Sequence, residues 1–295
     1  IVRLSGREKF EGICADYSSI EVSPGAAAHT LEILLVSDTD NEKFPSNLYR
    51  ASVSLNCRQK GKAQMIGIIG ATGFTGKLVA SELKKRKAEF FIAGRNEQSL
   101  QALSESLGGV PFRIVDVEDS STFSALDGCK IIINCAGPFT DFGEPIVQEA
   151  IARRAHYLDT TGEQGFIKLV YDKYHEQAKA SGIVLVPACA YEYAIGDAMG
   201  AQLCSEYPQC QAIEFVYSLN EMHTSPGTRK SIVRAFAASG FYLSKGQLVE
   251  GRPGAMSRKT HIDGKAFSMV SFPAGEALML PRHTNVQEVN SYFTA

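Results

Sequence analysis

The chain has 295 residues, about twice the common size of one domain, so two domains or one large α/β unit are expected. Thirty Lys and Arg against 32 Asp and Glu leave a formal net charge of −2, without the basic excess that a nucleic-acid partner requires. With 44% hydrophobic and 21% charged residues the composition is globular, and no run approaches the roughly 18 apolar residues of a transmembrane segment. Seven cysteines without a CxxC pair argue against a disulfide framework or a thiolate zinc site, and suit a reducing, cytoplasmic setting.

Residues 1–64 carry eight basic and eight acidic residues, turn-rich sequence and one convincing strand-like run, Leu31 to Val36. They hold no chemical motif and read as an accessory or poorly ordered extension. The start at Ile1 rather than Met suggests a fragment or a processed product. From Met65 short apolar runs alternate with helical periods, the pattern of βαβ units around a parallel sheet. Strands are expected at Met65–Ile69, Phe90–Ala93, Phe112–Val115, Ile131–Asn134, Tyr157–Asp159 and Ile183–Val186. Between them fall helices at Gly76–Lys87, around Leu100–Leu107, Phe123–Leu126, Pro145–Arg154 and Gly165–Ala180. Six strands in one alternating series predict a Rossmann-type, doubly wound dinucleotide-binding domain over 65–187.

Residues 188–295 read as a smaller α+β substrate domain that looks incomplete. Helices are expected at Asp197–Glu206 and Thr228–Lys245, with strands at Ala212–Leu219, Ala266–Phe272, Ala277–Leu280 and Glu288–Phe293. The last of these ends the chain with no partner after it.

The strongest motif is Gly70-Ala71-Thr72-Gly73-Phe74-Thr75-Gly76, between a strand and a helix. Gly70 allows the tight turn, Gly73 lets backbone approach a pyrophosphate, and Gly76 lets helix and strand pack closely. Pyrophosphate would sit on the N–H groups of the helix N-terminus, so Gly70, Thr72, Gly73, Phe74, Thr75 and Gly76 are candidate cofactor contacts. Arg95 follows the second strand, nineteen residues past Gly76. An acid there would take the ribose 2′-hydroxyl of NAD; a guanidinium suits the 2′-phosphate of NADP, so NADP is expected over NAD. Asp116, after the third strand, would meet the adenine edge or cap the next turn. Ala136 and Gly137, in the loop Asn134-Cys135-Ala136-Gly137-Pro138-Phe139, would let the nicotinamide ribose approach the backbone. Cys135 reads as a small buried hydrophobe rather than a nucleophile.

These stretches, together with His156-Tyr157-Leu158-Asp159-Thr160-Thr161-Gly162-Glu163, resemble the saccharopine dehydrogenase-like oxidoreductases, a group that includes saccharopine reductases and trans-acting enoyl reductases. The resemblance covers about residues 65–295. It implies NADP-dependent hydride transfer to a C=N or C=C bond of a small-molecule or lipid-like substrate, and it leaves room for a homodimer. Family members continue past this C-terminus, and usually carry a G-F-D-S-x-P-S-D-L-G phrase where this chain has Ala190 to Gly200. There Glu192 takes the place of the first acid and Asp197 of the second.

Hydride chemistry belongs to the nicotinamide, and the protein need only position the acceptor and supply a proton. Asp159, beside Tyr157 and Thr160 at the fifth strand's end, and Glu192 after the sixth are the candidate general acids, since a partly desolvated carboxylate rises in pKa. The plainer reading, which carries more weight for each, is that Asp159 caps the following turn and Glu192 is a solvent-facing loop residue. His156 and His223 lie at no catalytic or metal-binding spacing, and no metal is expected. Ser225-Pro226-Gly227-Thr228 resembles the family's S-x-G-T turn. Arg229, Arg234, Arg252, Arg258 and Arg282 could clamp carboxylates, while Phe236, Phe241, Tyr242 and Leu243 tilt the reading toward a bulky, lipid-like substrate. The competing function is a non-catalytic dinucleotide-binding module, a redox sensor or scaffold.

Overall fold

A computed structural model of the chain describes residues 2–4, 30–35, 49–54, 65–218, 239–262 and 265–294. The first three stretches are the strands β1 (Val2–Leu4), β2 (Thr30–Leu35) and β3 (Tyr49–Ser54), the last two forming an antiparallel pair of their own. The strand read at Leu31–Val36 is thus present, and Tyr49–Ser54 is its unforeseen partner.

From residue 65 the expected alternation is realised. The strands are β4 (Ile66–Ile69), β5 (Phe90–Gly94), β6 (Phe112–Ile114), β7 (Ile131–Asn134), β8 (His156–Asp159) and β9 (Leu185–Val186). They form one parallel sheet in the order β6-β5-β4-β7-β8-β9. This is the doubly wound arrangement, with chain order reversing between the central neighbours β4 and β7. All five residues of β5 are buried, as expected of a strand covered by helices on both faces. The helices are α1 (Phe74–Lys85), α2 (Glu97–Ser106), α3 (Phe139–Arg153) and α4 (Gln164–Ser181), with a 3-10 turn over Ser120–Leu126. Asn96 caps α2 by accepting the Ser99 N–H at 2.8 Å, and left-handed Gly182 (φ +67°) ends α4. α3 begins six residues before the expected Pro145, which lies inside the helix within its first two turns. Ile69, Phe91, Ile132, Tyr157 and Phe166 anchor the core on one side of the sheet, and Ile68, Ile92 and Leu100 that on the other.

Beyond this sheet, α5 (Tyr191–Glu206) starts earlier than the expected Asp197. It leads into β10 (Ala212–Tyr217), β11 (Gly240–Ser244), β12 (Gln247–Gly251), β13 (Ser257–Ile262), β14 (Lys265–Phe272), the short helix α6 (Glu276–Met279) and β15 (Glu288–Thr294). Three expectations are corrected here. The helix expected to run to Lys245 gives way to the hairpin β11–β12, whose turn residues Lys245 and Gly246 take φ of +53° and +72°. The strand expected at Ala277–Leu280 is α6 and the 3-10 turn that follows it. The final strand has partners on both sides: β15 runs parallel to β10 and antiparallel to β11 and β14, inside a seven-stranded sheet. β1 pairs antiparallel with β10 at the edge of that sheet, so residues 2–4 of the presumed extension join it. The part of the expected helix before residue 239, with Phe236, Arg229 and Arg234, lies outside the described residues, as do His223 and the Ser225–Thr228 turn.

Gln164, buried at the start of α4, joins the two sheets. Its Nε2 donates to the Phe241 and Ala274 carbonyls at 2.9 and 2.7 Å, and its Oε1 accepts the Phe241 N–H at 2.7 Å. Ile167, Ala188, Tyr193, Phe272 and Leu278 pack around this junction. Cys129, Cys135, Cys189, Cys204 and Cys210 are all free thiols.

Candidate functional site

A cleft of about 450 Å³ opens at the carboxyl edge of the parallel sheet, over the β4/β7 switch point. Open α/β sheets bind their ligands at this position, because the loops diverge there and leave a crevice. Its walls are the β4–α1 loop (Ile69, Gly70, Thr72, Gly73), the end of β5 (Gly94, Arg95), residues 115–118 after β6, and Cys135 to Pro138 with Phe142 after β7. Seven of the ten residues proposed from sequence for the cofactor line this one space: Gly70, Thr72, Gly73, Arg95, Asp116, Ala136 and Gly137. Phe74, Thr75 and Gly76 are the first turn of α1, outside the lining.

The three glycines answer different demands. Gly70 has φ +73°, and a Cβ there would stand 2.8 Å from the Ala136 nitrogen, so the two loops that flank the switch point touch through it. At Gly76 a Cβ would meet the Gly70 carbonyl oxygen at 2.3 Å, which fixes how closely α1 packs on β4. Gly73 has an ordinary φ of −72°, and its Cβ would meet only the Gly70 oxygen, at 3.2 Å. That is one tight contact, which a shift of a few tenths of an ångström would relieve, and the open cleft lies in front of Gly73.

Two helices begin at the cleft. α1 has no side-chain cap and no acid in its first turn, leaving its N-terminal dipole available to an anion. α3 is already served: Glu163 accepts the Phe139 and Thr140 N–H groups at 3.1 and 2.8 Å and the Thr140 hydroxyl at 2.5 Å. A phosphate group fits the first terminus and is repelled from the second.

At the far end of the cleft the Arg95 guanidinium lies 3.2 Å from Glu118, both side chains being largely exposed. Asp116 accepts the Glu118 N–H at 3.1 Å, while Asp119 caps the following 3-10 turn through Ser121. Asp116 is thus a turn brace beside the cleft rather than the helix cap weighed from sequence.

The proposed acids fare differently. Asp159 is fully buried, and its Oδ1 accepts the Thr161 and Ala188 N–H groups, each at 2.9 Å. Its Oδ2 has no hydrogen-bond partner; the Tyr157 phenol is the polar group beside it. Burial pushes its carboxyl up to about 6 against the pull of those N–H groups. The Tyr157 hydroxyl accepts from Asn134 Nδ2 at 3.4 Å, and Asn134 Oδ1 accepts the Ala136 N–H at 3.0 Å. The Thr161 hydroxyl accepts the Glu163 N–H at 3.0 Å. The Asn134-to-Phe139 and His156-to-Glu163 phrases are therefore one braced network beneath the cleft. Burial pushes the Cys135 thiol up to about 12, with Asp159 adding to the effect, which keeps it protonated and inert as expected. His156 stands at the opposite, amino end of β8, where its Nδ1 accepts the Val184 N–H at 3.1 Å. Glu192 lies in the first turn of α5, but its side chain is outside what is described.

Of the cations considered for a carboxylate substrate, Arg258 is held by Glu214 and the Tyr292 hydroxyl, and Arg282 stacks 4.2 Å over Tyr171. Tyr242 and Leu243 are buried in the second sheet, so their apolar character is accounted for by its core. Sequence reasoning missed Glu118, Pro138 and Phe142 in the lining, and the capping role of Glu163. Phe142 was hidden because the start of α3 was placed at Pro145.

The geometry has counterparts. Residues 66–186 match the family described as the saccharopine dehydrogenase NADP binding domain. A trans-acting enoyl reductase of Mycobacterium leprae is 33% identical over 134 residues, covering 43% of this chain and 32% of the relative. A saccharopine dehydrogenase-like oxidoreductase of Mus musculus is 28% identical over 202 residues, covering 59% and 46%. The chain thus spans from just under a third to just under a half of the length of these curated relatives. In fold, the apo saccharopine dehydrogenase (L-Glu forming) of Saccharomyces cerevisiae superposes with a TM-score of 0.58 at 15% identity, over 78% of this chain and 55% of that one. The matched residues 66–186 take in the strands and loops that carry the cleft.

Proposed function

We propose that the chain is an NADP-dependent oxidoreductase of the saccharopine dehydrogenase-like type, passing hydride to a C=N or C=C bond of a small-molecule or lipid-like substrate. The observation that carries this is the cleft over the switch point, with an uncapped helix N-terminus facing it and an arginine at one end. Bound there, the nicotinamide supplies the hydride. In this reading Gly70 and Gly73 bring backbone against the pyrophosphate, the α1 terminus stabilises its charge, and Arg95 meets the 2′-phosphate. Ala136 and Gly137 present backbone to the nicotinamide ribose, and Pro138 and Phe142 form an apolar wall that keeps water from that end. The relatives named as enoyl reductases and saccharopine dehydrogenase-like oxidoreductases support this choice of chemistry. In this reading 65–187 is the dinucleotide-binding domain and 188–295 the substrate domain, with the cytoplasm as the expected setting.

One observation favours the alternative, a dinucleotide-binding module without turnover. Asp159 is fully buried and spends one oxygen on backbone N–H groups, which is the behaviour of a brace. The test is to release bound molecules from protein purified without added cofactor and identify them by mass spectrometry, then follow oxidation of NADPH with enoyl and imine acceptors. Co-purified NADP(H) with turnover of either acceptor class supports the enzyme. Bound NADP(H) without turnover of any acceptor supports the module, and no bound dinucleotide with no measurable NADPH affinity sinks both.

A further inference from the structure

The Arg95–Glu118 pair is not there to stabilise the fold. Its side chains are 71% and 50% exposed, and exposed ion pairs contribute little. Yet both residues line the cleft, at the end where the sheet order places the adenine ribose. Glu118 is also held in place: its own N–H donates to the Asp116 carboxylate, and the Asp116 N–H donates to the Thr122 hydroxyl at 3.0 Å. These bonds fix the backbone from which the Glu118 side chain reaches Arg95.

We propose that Glu118 sets how strongly the cleft prefers a 2′-phosphorylated dinucleotide, by competing with that phosphate for Arg95. This rests on the cleft being the dinucleotide site. A 2′-phosphate brings a charge of roughly −1.5 to −2 to a place where one guanidinium and one carboxylate cancel. It must displace Glu118 from Arg95 and then sit beside the displaced charge. A 2′-hydroxyl meets no such penalty, and the carboxylate accepts its hydrogen bond. Arginine alone would give strict NADP selection; the acid narrows that preference and keeps NAD within reach. Sequence inspection of the position after the second strand, where Arg95 stands, cannot reveal this, because the opposing charge arrives from the loop after β6.

The test uses two probes that contain only the adenosine end, 2′,5′-ADP and 5′-AMP, titrated calorimetrically into the full chain, Glu118→Gln and Arg95→Ala. Glu118→Gln should tighten 2′,5′-ADP about two- to five-fold, the range expected for exposed charges, and leave 5′-AMP unchanged or weaker. Arg95→Ala should weaken 2′,5′-ADP by about ten-fold or more while sparing 5′-AMP. If Arg95→Ala behaves so but Glu118→Gln leaves 2′,5′-ADP unaltered, the competition is wrong while the cleft assignment stands. Equal tightening of both probes also overturns the proposal. If the unaltered chain binds neither probe, the cleft assignment falls and the proposal with it.

Discussion

The N-termini of α1 and α3 lie across the same cleft, after neighbouring strands, yet the chain treats them in opposite ways. At α3 the first two N–H groups are taken by Glu163, whose own backbone is held by Thr161, which in turn is held by Asp159. At α1 no side chain intervenes, and the residue in front is Gly73, where a Cβ would make one tight contact. The difference separates two kinds of residue pattern that look alike on paper. The His156-to-Glu163 phrase braces its neighbours through side-chain hydrogen bonds, whereas at the Gly70-to-Gly76 loop the α1 terminus has no side-chain cap and opens on the cleft.

Gly73→Val should produce the largest change on this view. A branched side chain would project where the backbone must touch pyrophosphate, and NADPH affinity should fall about a hundred-fold or more. The melting temperature should move by only a few degrees, as a Cβ there meets a single oxygen at 3.2 Å. Retained affinity in a titration of the folded variant would make the loop a structural turn, like its counterpart at α3.

Asp159 sharpens the scaffold side. Asp159→Ala leaves two buried N–H groups without an acceptor and should cost about 2–5 kcal/mol in denaturant unfolding. Asp159→Asn keeps the Oδ1 acceptor and should be tolerated. A carboxyl raised by burial is more stably accommodated when neutral, so its contribution is fully present below about pH 4 and is lost as pH rises through about 6. In Asp159→Asn that slope, about 2–3 kcal/mol in all, should disappear from the stability–pH curve. Were Asp159 instead the proton donor of a reaction, Asp159→Asn would abolish turnover while leaving NADPH binding intact.

Glu163→Ala removes the cap from α3 and should cost about 1–2 kcal/mol, with little change in NADPH affinity. A large loss of affinity with unchanged stability would place Glu163 on the ligand side of the comparison. The smallest effect is expected from deleting residues 1–64. Among the described residues of this stretch none lines the cleft and only β1 joins the main sheets, at an edge, so NADPH affinity should be unchanged and the melting temperature only modestly lower. An insoluble product would show that the stretch is part of the folded unit.

The parallel sheet was readable because fully buried strands such as Phe90–Gly94 appear as unbroken apolar runs between helical periods. Its glycine loop and Arg95 were placed correctly by the strand ends that carry them. The second sheet was less readable. Phe241, Tyr242 and Leu243 form an apolar run that suits helix or strand equally, and the Lys245-Gly246 turn lacks the usual Asn-Gly signal. Ala277 to Leu280 is too short for either period to show. Nor could sequence distinguish a carboxylate in a cleft from one beneath it, because the burial of Asp159 is set by residues as distant as Ala188.

The central claim is that this cleft selects a 2′-phosphorylated dinucleotide through Arg95. It is tested most directly by titrating NADPH and NADH into the unaltered chain and Arg95→Ala. The account predicts tighter NADPH binding by the unaltered chain. In the variant, a loss of about 1.5–3 kcal/mol, the worth of a charge-assisted contact, should fall on NADPH alone. Equal affinity for the two dinucleotides in the unaltered chain would contradict it.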